Sequence, residues 1–197
     1  MLGALSGIRS PLFSCLLLLV APLDVIAQTV TSVSNTSCPT LLSKTFKRLQ
    51  DEVPQDLCQN SGKVLLVVNT ASYCGFTYYY EGLEKLHANL SAKGLFVMGF
   101  LSNDFGQLEP GSGQQVAEFC TNTYGMKFPM FEKSVVVGAN ANALYRKLAQ
   151  ATGKPPQLNF HKYLIDRKGK ILGSYPCAVG PQDKHLLADI DRALIGN

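Results

Sequence analysis

The sequence predicts an α/β fold, a mixed central sheet flanked by helices, on three observations. Two runs, "KVLLVVNTA" (63–71) and "LFVMGFL" (95–101), are continuously apolar over strand length, as strands buried on both faces of a sheet are. The segment between them, "YYYEGLEKLHANLSAKG" (78–94), has a helical period, so the three make a β-α-β unit with a right-handed crossover and parallel strands. Finally, "HKYLIDRKGKILGSY" (161–175) alternates on both sides of a "DRKG" turn, which predicts an antiparallel hairpin and makes the sheet mixed.

Ahead of this fold, residues 1–27 read as an export signal. Arg9 supplies a positive start, "PLFSCLLLLVAPL" an apolar stretch, and Val25-Ile26-Ala27 a small-residue cleavage site before Gln28. Pro11, Pro22 and Asp24 interrupt a run already short of the roughly 20 residues a membrane span needs. Cys15 comes too early in the run for a lipoprotein site. Residues 28–37, "QTVTSVSNTS", are polar and patternless, a flexible lead-in. No repeat or second composition block follows, so residues 38–197 make one domain. The net charge of +4 is mild and the basic residues are scattered, which argues against a nucleic-acid partner.

In chain order, the first helix places Tyr80, Leu83, Leu86 and Leu90 on one face, and Gly94 stops it. A second helix starts near Gln114 in "GSGQQVAEFCTN". A short apolar run, "SVVVG" (134–138), precedes a third helix at "NALYRKLAQAT" (142–152). After the hairpin, "PQDKHLLADIDRALI" (181–195) is an amphipathic closing helix. Parallel β-α-β, then a hairpin and a last helix, is the thioredoxin-like order. In open α/β sheets chemistry collects at the carboxyl ends of strands. Cys74 falls just past one, near the start of a helix whose free N-H groups and dipole favour a thiolate.

Four segments in sequence carry a family resemblance. "NTASYCGFTYYYEGLEKL" is similar to the glutathione peroxidase motif N-x-A-S-x-C-G-x-T-x-x-Y-x-x-L, and "GFLSNDFGQLEPGS" to G-F-P-x-N-Q-F-G-x-Q-E-P-G. "KFPMFEK" and "LNFHKYLIDRKGK" resemble the later F-P-x-F-x-K and W-N-F-x-K-F-L-x-D-x-x-G-K. The resemblance covers about residues 62 to 177. It implies a thioredoxin fold, reduction of hydrogen peroxide or organic hydroperoxides, and Cys74 in the peroxidatic place. Such a thiolate attacks an O-O bond, becomes a sulfenic acid and expels hydroxide or alkoxide.

The family surrounds the sulfur with a glutamine, a tryptophan and an asparagine. Asn159 matches the asparagine, but Asp104 stands at the glutamine and Leu158 at the tryptophan, in a chain with no tryptophan at all. Leu101 and Leu108 also replace the second motif's proline and glutamine. An ionised Asp104 beside Cys74 would accept hydrogen bonds and disfavour the thiolate, whereas a protonated one would still donate. The expectation is a peroxidase with a weakened or rearranged site. The alternative is a non-catalytic redox-sensing or binding protein on the same scaffold.

"FCTNTYGMKFP" is similar to the segment that holds the resolving cysteine in the two-cysteine, thioredoxin-dependent branch, which implies Cys120 as resolving thiol and local unwinding of its helix. No long insertion precedes "QLNF", where oligomeric members carry an interface loop, so a monomer is expected. Cys38 and Cys58 lie outside the shared motifs and bracket a polar segment, as a structural disulfide in an exported chain would. Cys177 is left as the free thiol. His87, His161 and His185 are scattered with no ligand spacing, so neither metal nor other cofactor is expected. Asn35 and Asn89 begin N-glycosylation sequons, which matter only in a eukaryote. The expected partners are a peroxide and an electron donor, either a thioredoxin-like reductant or glutathione. No membrane contact remains after signal cleavage, in a secreted or periplasmic location.

Overall fold

The structure, a computed structural model, describes residues 38–196. The export signal at 1–27 and the lead-in at 28–37 lie outside the described residues. Strands β1 (Thr45–Lys47) and β2 (Pro54–Asp56) pair antiparallel into a small ribbon that the sequence did not announce. Then come β3 (Val64–Thr70), α1 (Tyr79–Leu90), β4 (Leu95–Leu101), α2 (Gly113–Tyr124), β5 (Met130–Phe131), α3 (Ala143–Thr152), β6 (Lys162–Ile165), β7 (Ile171–Tyr175) and α4 (Lys184–Ile195).

The main sheet has the order β5-β4-β3-β6-β7. β3 runs parallel to β4, with Val64 opposite Leu95 and Thr70 opposite Leu101, while β6 pairs antiparallel with both β3 and β7. Every residue of β3 and β4 is buried, as their unbroken apolar runs require. Alternation then divides them. Val64, Leu66 and Val68 meet α1, α2 and α4 through Leu83, Val116 and Ile190, whereas Leu65 and Val67 meet α3 through Leu144 and Leu148. Each such side chain, fully buried, contributes roughly 1.5–3 kcal/mol.

The helix boundaries have local causes. Gly94 ends the α1 region in the left-handed conformation (φ 101°), after a 3-10 turn at Ser91–Lys93. Ser112 and Gln115 form a capping box at the head of α2, Asn142 caps α3 and Asp183 caps α4. The apolar run at 134–138 forms no strand. Ser134 N-H donates to Leu101 O, and the N-H groups of Val136 and Val137 go to the Asp104 carboxylate, so they are withdrawn from any ladder.

A disulfide joins Cys38 to Cys58, with Cα atoms 5.3 Å apart at a sequence separation of 20. It ties the segment before β1 to the 3-10 turn Leu57–Asn60 that leads into β3. Among the described residues no helix is long and apolar enough to cross a membrane, and no cluster of His, Cys, Asp or Glu could hold a metal.

Candidate active site

Cys74 lies in the turn between β3 and α1, ahead of the first helical residue. Its carbonyl accepts from Thr77 N-H (3.1 Å), and Phe76 O and Thr77 O accept from Tyr79 and Tyr80, so the turn winds directly into the helix. The side chain is half-buried and lines a cavity of about 420 Å³. Phe76, Phe105, Leu108 and Leu158 give the cavity an apolar wall, and Asn159 supplies its amide. Asn159 is only 1% exposed; its Oδ1 is an acceptor without a hydrogen-bond partner, and its Nδ2 is the amide's donor.

The loops around the sulfur are fixed by backbone bonds. Tyr73 N-H donates to Leu108 O at 3.1 Å, which holds the cysteine turn against the loop after β4. That loop reverses through Gly106 (φ 73°) and Gln107 (φ 52°). On the other side, Phe160 N-H donates to Asn69 O at 2.6 Å and Asn69 Nδ2 donates to Leu158 O at 3.2 Å, anchoring the Leu158–Asn159 segment to the end of β3. Phe160 itself sits at positive φ (61°), an uncommon conformation for a bulky residue that turns Asn159 toward the cavity and the following strand into the sheet.

Asp104 requires a correction. It does not line the Cys74 cavity; its Oδ2 accepts from Val136 N-H at 2.6 Å and Val137 N-H at 3.3 Å. The carboxylate is a bracket for the 134–138 segment rather than a donor at the sulfur. The carboxyl group that the sequence reading passed over is Glu109, fully buried in "QLEPG". Its Oε2 accepts from Ser72 N-H (2.7 Å) and Ser72 Oγ (2.9 Å), and its backbone N-H donates to Asn103 Oδ1 (2.9 Å). Burial pushes the Glu109 carboxyl above its ordinary pKa, against the pull of those hydrogen bonds. A lone acid inside an apolar-flanked turn, two residues before a glycine, was the available signal.

Cys120 is buried inside α2 at 3% exposure, among Tyr80, Ser72 and Glu109. Burial, with the Glu109 carboxyl behind it, pushes its pKa up to about 11. At neutral pH Cys120 is therefore a thiol rather than a thiolate. Cys177, also buried, lies in the segment between β7 and α4. Lys162 is buried nearby, with Nζ donating to Phe160 O at 2.6 Å and standing 5.2 Å from the Tyr79 ring centre; burial lowers its pKa to about 8.

Fold and site together define a thioredoxin-fold thiol oxidoreductase, with one half-buried cysteine where the central parallel strand turns into its helix. The glutathione peroxidase family model matches residues 42–149. The hydroperoxy fatty acid reductase gpx1 of Synechocystis is 40% identical over 154 residues, spanning 73% of this chain and 90% of that protein. The glutathione peroxidase-like peroxiredoxin gpx1 of Schizosaccharomyces pombe is 39% identical over 149 residues, 74% of this chain and 93% of that protein. The crystal structure of T. cruzi GPX1 superimposes with a TM-score of 0.59 at 28% identity, covering 78% of this chain and 97% of that one. The chain belongs to the glutathione peroxidase family, and it is a peroxidase.

Proposed function

We propose that this chain is an exported, monomeric thiol peroxidase in which Cys74 attacks the O-O bond of a hydroperoxide. The observation that carries the reading is the cavity over Cys74, apolar on its walls and lined at its edge by the buried Asn159, whose Nδ2 is a donor. The thiolate forms an S-O bond to the nearer peroxide oxygen, the O-O bond breaks, and the departing alkoxide or hydroxide takes a proton. Asn159 serves as the polar support for that oxygen, in place of the family's full set of donors. An apolar wall suits a peroxide carried on a hydrocarbon, in keeping with the relative named as a hydroperoxy fatty acid reductase, and hydrogen peroxide fits as well. A thiol then converts the sulfenic acid to a disulfide, which a thioredoxin-like reductant or glutathione reduces.

Export rests on the signal-like residues 1–27 and accords with the Cys38–Cys58 disulfide. The test is peroxide consumption coupled in turn to thioredoxin with its reductase and to glutathione with its reductase. The parent should turn over and Cys74→Ser should not. Equal turnover by the two, with either donor, would remove Cys74 from the chemistry.

A further inference from the structure

We propose that Glu109 is a positioning residue for peroxide reduction: its carboxylate fixes Ser72, two residues before Cys74, and through it the place of the Cys74 sulfur in its cavity. The inference rests on Cys74 being the thiol that attacks the peroxide.

The chain reaches Cys74 from the end of β3 through Ala71, Ser72 and Tyr73, none of which lies in a strand or helix. Two consecutive N-H groups of this approach are bonded to two consecutive residues of one loop. Ser72 N-H donates to Glu109 Oε2 at 2.7 Å, and Tyr73 N-H to Leu108 O at 3.1 Å. Ser72 Oγ donates to the same Oε2 at 2.9 Å, so the backbone and the side chain of one residue close on a single oxygen. Ser72 cannot turn without breaking a bond to a carboxylate, one of the stronger classes of hydrogen bond. Leu108, meanwhile, lines the cavity together with Cys74 and Asn159. The same two loop residues thus supply one wall of the cavity and hold the turn that carries the sulfur.

This loop is itself anchored. Glu109 N-H donates to Asn103 Oδ1 at 2.9 Å, and Lys133 Nζ donates to Glu109 O at 2.6 Å and Gly111 O at 3.1 Å. Asn103 comes just after β4 and Lys133 just after β5, so both anchors stand at ends of sheet strands.

Stability does not account for a carboxyl in this place. Glu109 is 0% exposed, its Oε1 has no hydrogen-bond partner, and burial acts against its charged form. A packed apolar side chain of similar size would serve the fold as well or better. It could not hold Ser72, which needs an acceptor at that reach.

Peroxide reduction is sensitive to where the sulfur stands, because the thiolate must line up with the O-O bond while a donor meets the departing oxygen. Alkylation by iodoacetamide needs only a thiolate within reach, since iodide leaves unaided. A misplaced Cys74 therefore loses the first reaction and keeps the second.

The test follows Cys74 of the full-length chain by mass spectrometry, measuring its oxidation by hydrogen peroxide and its alkylation by iodoacetamide, with the urea midpoint alongside. Glu109→Ala should oxidise about tenfold more slowly or worse yet alkylate within about twofold of the parent, as a misplacement of about 1 Å costs on the order of a hundredfold. Glu109→Gln should recover most of the loss, because its amide oxygen accepts from Ser72 at the same reach. Ser72→Ala keeps one of the two bonds and should fall between, and adding it to Glu109→Ala should slow oxidation no further. A folded Glu109→Ala that oxidises at the parental rate overturns the inference. So does a parallel loss of oxidation and alkylation, which assigns the effect to the thiol's access or ionisation, and so does a Glu109→Gln as slow as Glu109→Ala. Should Glu109→Ala fail to fold, Glu109→Asp decides: one methylene short of Ser72, it should show the same split, and a parental oxidation rate refutes the assignment. All these outcomes leave Cys74 as the peroxide-reacting thiol, whereas a parent whose Cys74 peroxide does not oxidise overturns that underlying reading instead.

Discussion

Replacing Leu158 with tryptophan puts an indole N-H at the rim of the Cys74 cavity. Leu158 is 53% exposed, so the larger ring extends along the surface and escapes the roughly 1–3 kcal/mol that overpacking a core would cost. Its backbone stays put, because Leu158 O accepts from Asn69 Nδ2 whatever the side chain. A fully pre-organised donor to a departing oxyanion is worth roughly 2–4 kcal/mol. This rim is open to water, however, so the ordinary net value of about 1.4 kcal/mol applies, or about tenfold in rate. The second-order rate of Cys74 oxidation by hydrogen peroxide, followed by quenching with an alkylating reagent, should rise by that factor in Leu158→Trp. The urea midpoint, measured alongside, should hold. A variant as stable as the parent that oxidises no faster refutes the reasoning, and shows that Asn159 and backbone N-H groups already serve the leaving oxygen.

Asp104→Ala should lose about 1–3 kcal/mol of stability in urea denaturation, since it strands the N-H groups of Val136 and Val137, and Asp104→Asn should recover part of it. His161 is buried with Nε2 2.8 Å from Ser174 Oγ, and burial, with the Lys162 charge behind it, lowers its pKa from 6.5 to about 4. The folded state then binds fewer protons than the unfolded one between those values. Stability should be intact above pH 6.5 and fall by about 3 kcal/mol as pH drops through the window to 4, a loss that His161→Gln should remove from the parent's acid limb. Non-reducing peptide mapping before any peroxide is added should show Cys38 linked to Cys58. Cutting that link with Cys58→Ser should cost about 3 kcal/mol, the value expected for a loop of this length.

The elements with long, periodic patterns were legible in the sequence. β3 and β4 announce themselves as unbroken apolar runs, α1 by its stripe and terminal glycine, and the β6–β7 hairpin by alternation around "DRKG". β1 and β2 were not, because three residues each are too few to show a period. At the site, Cys74 could be placed from its position just past a strand and Asn159 from its match to the family motif, and both line one cavity. Asp104 could not. Its direction is decided by the reversal at Gly106 and Gln107 and by where the 134–138 segment returns, both tertiary matters.

The two sheet faces hold the Cys38–Cys58 disulfide and the three free thiols of the described residues in separate clusters. Thiol–disulfide exchange requires a thiolate to reach a disulfide sulfur directly. Cys38 packs with Leu65, Val67 and α3, whereas Cys74, Cys120 and Cys177 all belong to the cluster built on Leu66, Val68 and α1. Between the two clusters stands the fully buried β3. Under the proposed function, the disulfide braces the approach to β3 while the Cys74 chemistry runs at its far end. The alternation that puts successive residues of one strand on opposite faces is what keeps the two chemistries apart.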